Sequence, residues 1–251
     1  MNIFEYDTNI DMVKSIANDF IDLSKNSCSN IVNIALSGGS TPQALFSLLA
    51  TETYRDCINW EKLHFWWGDE RFVSKDSKES NFGTAYRLLF NQIPNFNSIN
   101  LHPIRFGKSI KESRDSYSRE MKELISSKHG IPVFDWCLLG MGDDGHTASL
   151  FPNDKALNSI ELTEIVRHPI TLQERVTITL PVINLARRIS ILVSGSKKNK
   201  MLAEVLENKS EKNKYPISHV CSSNNNLEWH VDTDAFGKIN IDQYKYVKVN
   251  H

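Results

Sequence analysis

The residues best suited to chemistry lie together in Gly140-Met141-Gly142-Asp143-Asp144-Gly145-His146-Thr147-Ala148-Ser149-Leu150-Phe151-Pro152. Glycines, two aspartates and a histidine make a poor core and a good active-site loop. An ordinary imidazole titrates near about 6.5, so His146 can exchange protons at neutral pH. A neighbouring carboxylate such as Asp144 would orient the ring. Read as structure alone, the same stretch is a polar turn with an incidental histidine, and spacing does not say whether Asp143 or Asp144 faces a site. The other histidines, His64, His102, His129, His168, His219, His230 and His251, are expected to pack or to lie on the surface. No His-x-x-x-His or similar ligand spacing accompanies His146, which argues against a metal centre.

Three further segments have the same character. Ser37-Gly38-Gly39-Ser40-Thr41-Pro42 joins an apolar run to a helical one, with Thr41 expected as N-cap and Pro42 as the first helical residue. Its glycines and the unpaired N–H groups of a helix start form either a phosphate seat or a tight capped turn. It is neither a P-loop, having no Gly-Lys-Ser/Thr ending, nor a Gly-x-Gly-x-x-Gly turn. Gly68-Asp69-Glu70-Arg71 follows Phe65-Trp66-Trp67, whose tryptophans read as core. Charges at a strand end suit a ligand site or a surface turn; Arg71 suits bidentate anion binding, and Asn81 adds an amide. In Ser194-Gly195-Ser196-Lys197-Lys198, a lysine entering a helix opposes the dipole unless an anion is present, so Lys198 is a phosphate candidate or part of a solvated basic face.

These segments must be positioned by the elements around them. Apolar runs at 31–36, 63–67, 100–103, 134–139, 176–180, 189–193 and 227–231 read as strands. Helical spacing occupies 10–23, 42–49, 81–90, 109–126 and 198–206, with a short helix at 181–188 and a surface turn at 222–226. The charges of the 109–126 helix read as a solvated face. Strand and helix alternate from end to end, which predicts an α/β fold with a mostly parallel sheet covered on both faces. No linker divides the chain, so 1–251 is expected to be one domain.

Composition excludes several classes of function. The 29 Lys+Arg against 30 Asp+Glu leave no field that would collect nucleic acid or an anionic membrane. The longest apolar runs fall far short of the roughly 20 residues that span a bilayer. Glu5, Asp7 and Asp11 near the start do not resemble a secretion signal, so a cytoplasmic location is expected. Cys28, Cys57, Cys137 and Cys221 form no Cys-x-x-Cys pair and read as buried or incidental thiols. A chain of 251 residues buries roughly three-quarters of its unfolded surface and needs no metal or disulfide staple.

Together the four segments resemble the 6-phosphogluconolactonase family, within the wider group of glucosamine-6-phosphate isomerase/deaminase-like sugar-phosphate enzymes. Arg175-Val176-Thr177-Ile178-Thr179-Leu180-Pro181, Tyr215-Pro216, and Trp229 with Asp232 also fit that pattern, so the resemblance spans nearly the whole chain. It implies a Rossmann-like three-layer α/β/α sandwich and hydrolysis of 6-phospho-D-glucono-1,5-lactone to 6-phosphogluconate, the second step of the oxidative pentose phosphate pathway. No metal or organic cofactor would be needed. The implied partner is the small sugar-phosphate lactone rather than nucleic acid or membrane, and the protein would be a monomer or weak homo-oligomer. By position, His146 would activate water, Asp144 would support it, and Arg71 would hold substrate and balance the oxyanion. Gly38, Gly39, Ser40, Thr41, Asp69, Asn81, Arg175 and Lys198 would bind substrate or its phosphate. The resemblance leaves open which of Arg71, Arg175 and Lys198 meets the phosphate.

Two alternatives accompany this reading. In the deaminase branch a glutamate precedes the proline that follows the histidine by six residues, and a tyrosine tends to replace the arginine. Here those positions are Phe151 and Arg71. A non-catalytic sugar-phosphate sensor would keep the phosphate elements without needing His146.

Overall fold

The computed structural model describes residues 1–207, 214–240 and 244–249. Eight strands form the central sheet: β1 (Asn2–Tyr6), β2 (Val32–Leu36), β3 (Leu63–Trp67), β5 (Leu101–His102), β8 (Trp136–Gly140), β11 (Ile189–Val193), β12 (Leu227–Asp232) and β13 (Lys245–Val249). Their order is β13-β1-β12-β11-β8-β2-β3-β5, and every neighbouring pair is parallel. All residues of β2 and β11 are buried, as a sheet covered on both faces requires. The α/β fold with a mostly parallel sheet is therefore observed.

Helices α1 (Asn9–Asn26), α2 (Ser40–Leu49), α4 (Asn81–Leu88), α5 (Ile110–Leu124), α6 (Leu180–Leu185) and α7 (Asn199–Glu207) correspond to the helical segments expected from spacing; the short α3 (Glu52–Arg55) and α8 (Thr233–Phe236) complete the set. Helix α5 buries Ser113, Tyr117 and Met121 and turns its charges to water, while the Tyr117 hydroxyl donates to the Trp67 carbonyl at 2.8 Å. Trp66 and Trp67 are fully buried, as expected of core residues. Cys137 is buried, Cys28, Cys57 and Cys221 are exposed, and all four are free thiols. No helix among the described residues is long and apolar enough to cross a membrane.

Three features differ from the sequence expectation. The 176–180 run is not in the central sheet: β10 (Glu174–Ile178) pairs antiparallel with β4 (Asp69–Arg71) and β9 (Thr163–Arg167) in a small second sheet. A short apolar run carries no information about which sheet it joins. Strands β1, β9 and β13, unmarked by long apolar runs, were not expected, and β13 is a largely exposed edge whose alternation hides its role. Thr41 is not an N-cap, because Gly39 with φ 110° turns the chain early and helix α2 already begins at Ser40. No side chain caps that helix, which leaves its first N–H groups available to another acceptor.

The minor sheet is joined to the major one through Gly68. The Gly68 N–H donates to the Leu36 carbonyl, and the Ile178 N–H donates to the Gly68 carbonyl, both at 2.8 Å. Immediately beyond, the Glu70 carboxylate is 3 % exposed and accepts from the N–H groups of Arg71, Asn81 and Phe82 at 2.8 Å and from the Ser80 hydroxyl at 2.9 Å. Burial raises this carboxyl above the ordinary range, and the four hydrogen bonds oppose that rise. Glu70 thus ties the start of α4 to β4 and is a structural clip rather than a ligand group. Glu70→Ala strands those donors and is expected to cost about 3 kcal/mol of stability, read from urea unfolding.

Candidate active site

The four segments singled out above leave the carboxyl ends of β2, β3, β8 and β11, which are adjacent in the sheet. From β2 the chain proceeds through β3 to β5 on one side, and from β8 through β11 to β12 on the other. The β2–β8 boundary is therefore a topological switch point, where open parallel sheets form a crevice. A cleft of about 290 Å³ lies there, walled by the Gly38–Gly39 turn, Asp69, Arg71, Asn81, His146, Arg175 and Lys198.

His146 is held by its own loop. The Gly142 N–H donates to the His146 carbonyl at 2.8 Å, the Gly145 N–H to the Gly142 carbonyl at 3.1 Å, and the Thr147 hydroxyl to the Gly140 carbonyl at 2.9 Å. A side chain at position 142 has no room, since a Cβ there would lie 2.1 Å from His146 Nδ1. Asp144 Oδ1 is 2.5 Å from that nitrogen and also accepts from the His146 N–H at 3.1 Å. An ionised carboxylate accepts only, so Nδ1 carries the proton and Nε2 keeps its lone pair. Partial burial pushes the Asp144 carboxyl up, but the hydrogen bonds from the His146 ring and backbone outweigh it and hold the group at about 2. Asp144 stands behind the ring rather than in the cleft wall.

The opposite wall carries two arginines. Antiparallel register sets Arg175 of β10 directly across from Arg71 of β4. Like charges in that position repel, and an anion between them removes the penalty. The Arg175 side chain belongs to a residue only 8 % exposed; its guanidinium donates to Ser149 Oγ and Gln173 Oε1, each at 3.3 Å, and lies 5.7 Å from the Phe151 ring centroid. Arg71 donates to the Glu79 carbonyl at 2.5 Å. The Nε atoms of both arginines are buried without a hydrogen-bond partner among the described residues. Burial lowers the Arg175 pKa, yet a guanidinium remains charged at any physiological pH.

Between these walls lies Asp69, whose carboxylate accepts from the Ser149 hydroxyl at 2.5 Å and from the Asn81 amide at 3.3 Å. Asn81 also donates to the Asp69 carbonyl at 3.0 Å and fills the space a side chain at Gly38 would need. Lys198, at the end of the turn after β11, reaches Asp143 Oδ1 at 2.5 Å. Ser40 and Thr41 form the first turn of α2 next to Gly39 but are not part of the cleft wall. No group of three or more His, Cys, Asp or Glu side chains among the described residues is disposed to hold a metal ion.

The contacts of three residues escaped the sequence reading. Fully buried Ser149 bridges Asp69 and Arg175. Phe151 packs between His146 and His168, with ring centroids 4.9 and 5.1 Å away. Asp143 engages Lys198 across 55 residues of chain. All three belong to the 140–152 loop, so their place was marked, but long-range pairing has no local signature. Gly142→Ala is expected to push the His146 ring off Asp144, seen as a loss of the hydrogen-bonded Nδ1 proton in imidazole NMR, with the cooperative fold retained.

Comparison with known proteins follows this geometry. The profile of the family described as Glucosamine-6-phosphate isomerases/6-phosphogluconolactonase matches residues 7–229. The 6-phosphogluconolactonase of Aggregatibacter actinomycetemcomitans is 39 % identical over 237 residues, which cover 94 % of this chain and 98 % of the relative. The crystal structure of devB protein superposes with a TM-score of 0.91 at 40 % identity, covering 96 % of this chain and 100 % of the other. The 6-phosphogluconolactonase of Trypanosoma brucei gives a TM-score of 0.79 at 25 % identity, covering 93 % and 97 %. With matched residues extending through the cleft and nearly the whole sheet, the chain belongs to the glucosamine-6-phosphate isomerase/6-phosphogluconolactonase family.

Proposed function

We propose that this chain hydrolyses 6-phospho-D-glucono-1,5-lactone to 6-phosphogluconate, the lactone-opening step of the oxidative pentose phosphate pathway. The observation that carries the mechanism is the His146–Asp144 pair: with Nδ1 held by Asp144, Nε2 is the nitrogen left to accept a proton in a cleft that also presents Arg71, Arg175 and Lys198. The similarity to proteins named 6-phosphogluconolactonase supports the choice of substrate.

His146 Nε2 takes a proton from water as the water oxygen bonds to the lactone carbonyl carbon. Negative charge collects on the carbonyl oxygen, where Arg71 balances it. The tetrahedral intermediate then collapses, the bond to the ring oxygen breaks, and His146 returns its proton to that oxygen. The new acid loses its proton at neutral pH, so the product carries one more negative charge than the substrate. Asp144 keeps its charge throughout and steadies the imidazolium. The phosphate lies against Gly39 with Lys198 and Arg175, while Gly38, Asp69 and Asn81 shape the floor beneath the sugar. The uncapped start of α2 supports the phosphate end of this arrangement, because free N–H groups and the helix dipole favour an anion there.

A deaminase-like isomerisation is not favoured. Phe151, 2 % exposed, occupies the position at which that branch uses a glutamate, and a phenyl ring moves no proton. A sensor would bind 6-phosphogluconate without turnover.

Lactone generated in situ with glucose-6-phosphate dehydrogenase, followed at neutral pH above its spontaneous decay, tests the reading directly. His146→Ala is expected to lower kcat by about 10²–10⁴-fold while keeping 6-phosphogluconate binding. Lys198→Ala is expected to raise KM about tenfold with little change in kcat. Full activity in His146→Ala removes the base assignment, and no turnover by the wild type with 6-phosphogluconate still bound favours the sensor.

The pH dependence follows from the same pair. Between pH 4 and 8 the reaction needs a ring nitrogen free to accept a proton, with an ionised carboxylate behind it. Asp144, held at about 2, remains ionised through that range. Its stabilising charge is present above the unfolded carboxyl value of about 3.9 and is lost only as pH falls through the folded value. A kcat/KM profile between pH 4 and 8 is therefore expected to show no step assignable to Asp144; such a step contradicts this.

A further inference from the structure

The consecutive aspartates of the 140–152 loop choose different partners. Asp144 turns to the His146 ring, whereas Asp143 reaches Lys198, with Oδ1 2.5 Å from Nζ. The lysine is the sheltered member of the pair, its side chain 25 % exposed against 76 % for the aspartate. Both line the cleft, and of the two carboxylates in the cleft wall the other, Asp69, is occupied by Ser149 and Asn81.

Asp143 is not what fixes the position of Lys198. The turn that carries Lys198 is held by buried Asp232, which accepts from the Ser194 hydroxyl at 2.5 Å, the Gly195 N–H at 3.0 Å and the Ala235 N–H at 2.8 Å. The Lys198 N–H closes the turn on the Gly195 carbonyl at 3.0 Å. Removing the Asp143 carboxylate leaves all of these bonds in place. What changes is the charge around Nζ: the ammonium loses its internal counter-ion and is left to whatever anion enters. Asp143 therefore competes with a ligand rather than preparing the site for one.

We propose that Asp143 is an internal counter-anion that neutralises Lys198 in the empty cleft and yields it to the dianionic phosphate of an incoming ligand. This rests on the reading that the cleft takes a phosphorylated sugar. A monoanion offers Lys198 no more charge than Asp143 does, from a group that is not tethered beside it. A phosphate carries up to twice the charge and three acceptor oxygens, and so displaces the aspartate. Asp143 thereby discriminates against carboxylates and other monoanions. It also assists departure: hydrolysis adds a carboxylate to a ligand already held by Arg71, Arg175 and Lys198, and the returning Asp143 competes for one of those cations.

Calorimetric titration at fixed ionic strength with 6-phosphogluconate, inorganic phosphate and gluconate tests the proposal in wild type, Asp143→Asn, Lys198→Ala and the double variant. Exposed ion pairs shift equilibria modestly, so Asp143→Asn is expected to tighten 6-phosphogluconate and phosphate about three- to fivefold. Gluconate is expected to gain more, narrowing the preference for phosphate. The gain disappears in the Lys198→Ala background. Unchanged or weaker binding in Asp143→Asn overturns the proposal, as does equal tightening without Lys198, which marks a general field effect. Lactone turnover by the same wild-type preparation separates the two readings. Turnover with no tightening in Asp143→Asn removes the counter-anion alone, whereas absence of turnover removes the lactonase reading whatever the phosphate titrations show.

Discussion

The parallel run of the central sheet governs where chemistry can happen in this molecule. Because every neighbouring strand pair is parallel, each strand leaves the sheet through the same edge, and the chain must return along a face before it enters again. The faces are consequently covered and apolar, with β2 and β11 buried throughout. Polar side chains find water and one another at the carboxyl edge. At the switch between β2 and β8 the helical returns diverge, so the loops after β2, β3, β8 and β11 surround a space that no connection fills.

The second sheet gives that edge its charge. It places Arg71 and Arg175 opposite each other and, through Glu70, fixes the start of α4 so that Asn81 meets Asp69. The ordering of so many polar groups carries local strain: Ala148 adopts a positive φ of 47° between His146 and buried Ser149. Such conformations persist where surrounding bonds over-determine them. Here the Ser149 N–H on Thr177 and the Leu150 N–H on the Thr147 carbonyl supply those bonds, at 3.2 and 2.9 Å. The result is a cleft in which Arg71 Nε and Arg175 Nε lack partners among the described residues, the arrangement expected of a site that receives an anion.

Much of this was legible in the chain. Near-continuous apolar runs at β2, β3, β8 and β11 identified buried parallel strands, and glycine-rich polar segments after each marked the edge. His146 with Asp144, Arg71, Arg175 and Lys198 were singled out by residue type and by resemblance, and the structure gathers them around one cleft, Asp144 from behind the ring. The strand containing Val176 and Ile178 joins the minor sheet rather than the central one, because a short apolar run reports burial, not the identity of the neighbour. Thr41 was taken for a cap because its type suits one; the positive φ of Gly39, which starts the helix earlier, is a property of the folded turn.

The amino-acid sequence by itself determined the α/β class, the buried strands and helices, the absence of a long apolar span, and the loops in which polar chemistry is concentrated. These depend on composition and periodicity, which act over a few residues. Only the tertiary structure decided that Arg71 faces Arg175, that Ser149 links Asp69 to Arg175, and that Asp143 holds Lys198. Each of these depends on register, on a backbone turn or on contacts between residues tens of positions apart. Such distances are set by how the sheets pack, and no local pattern of side chains encodes them.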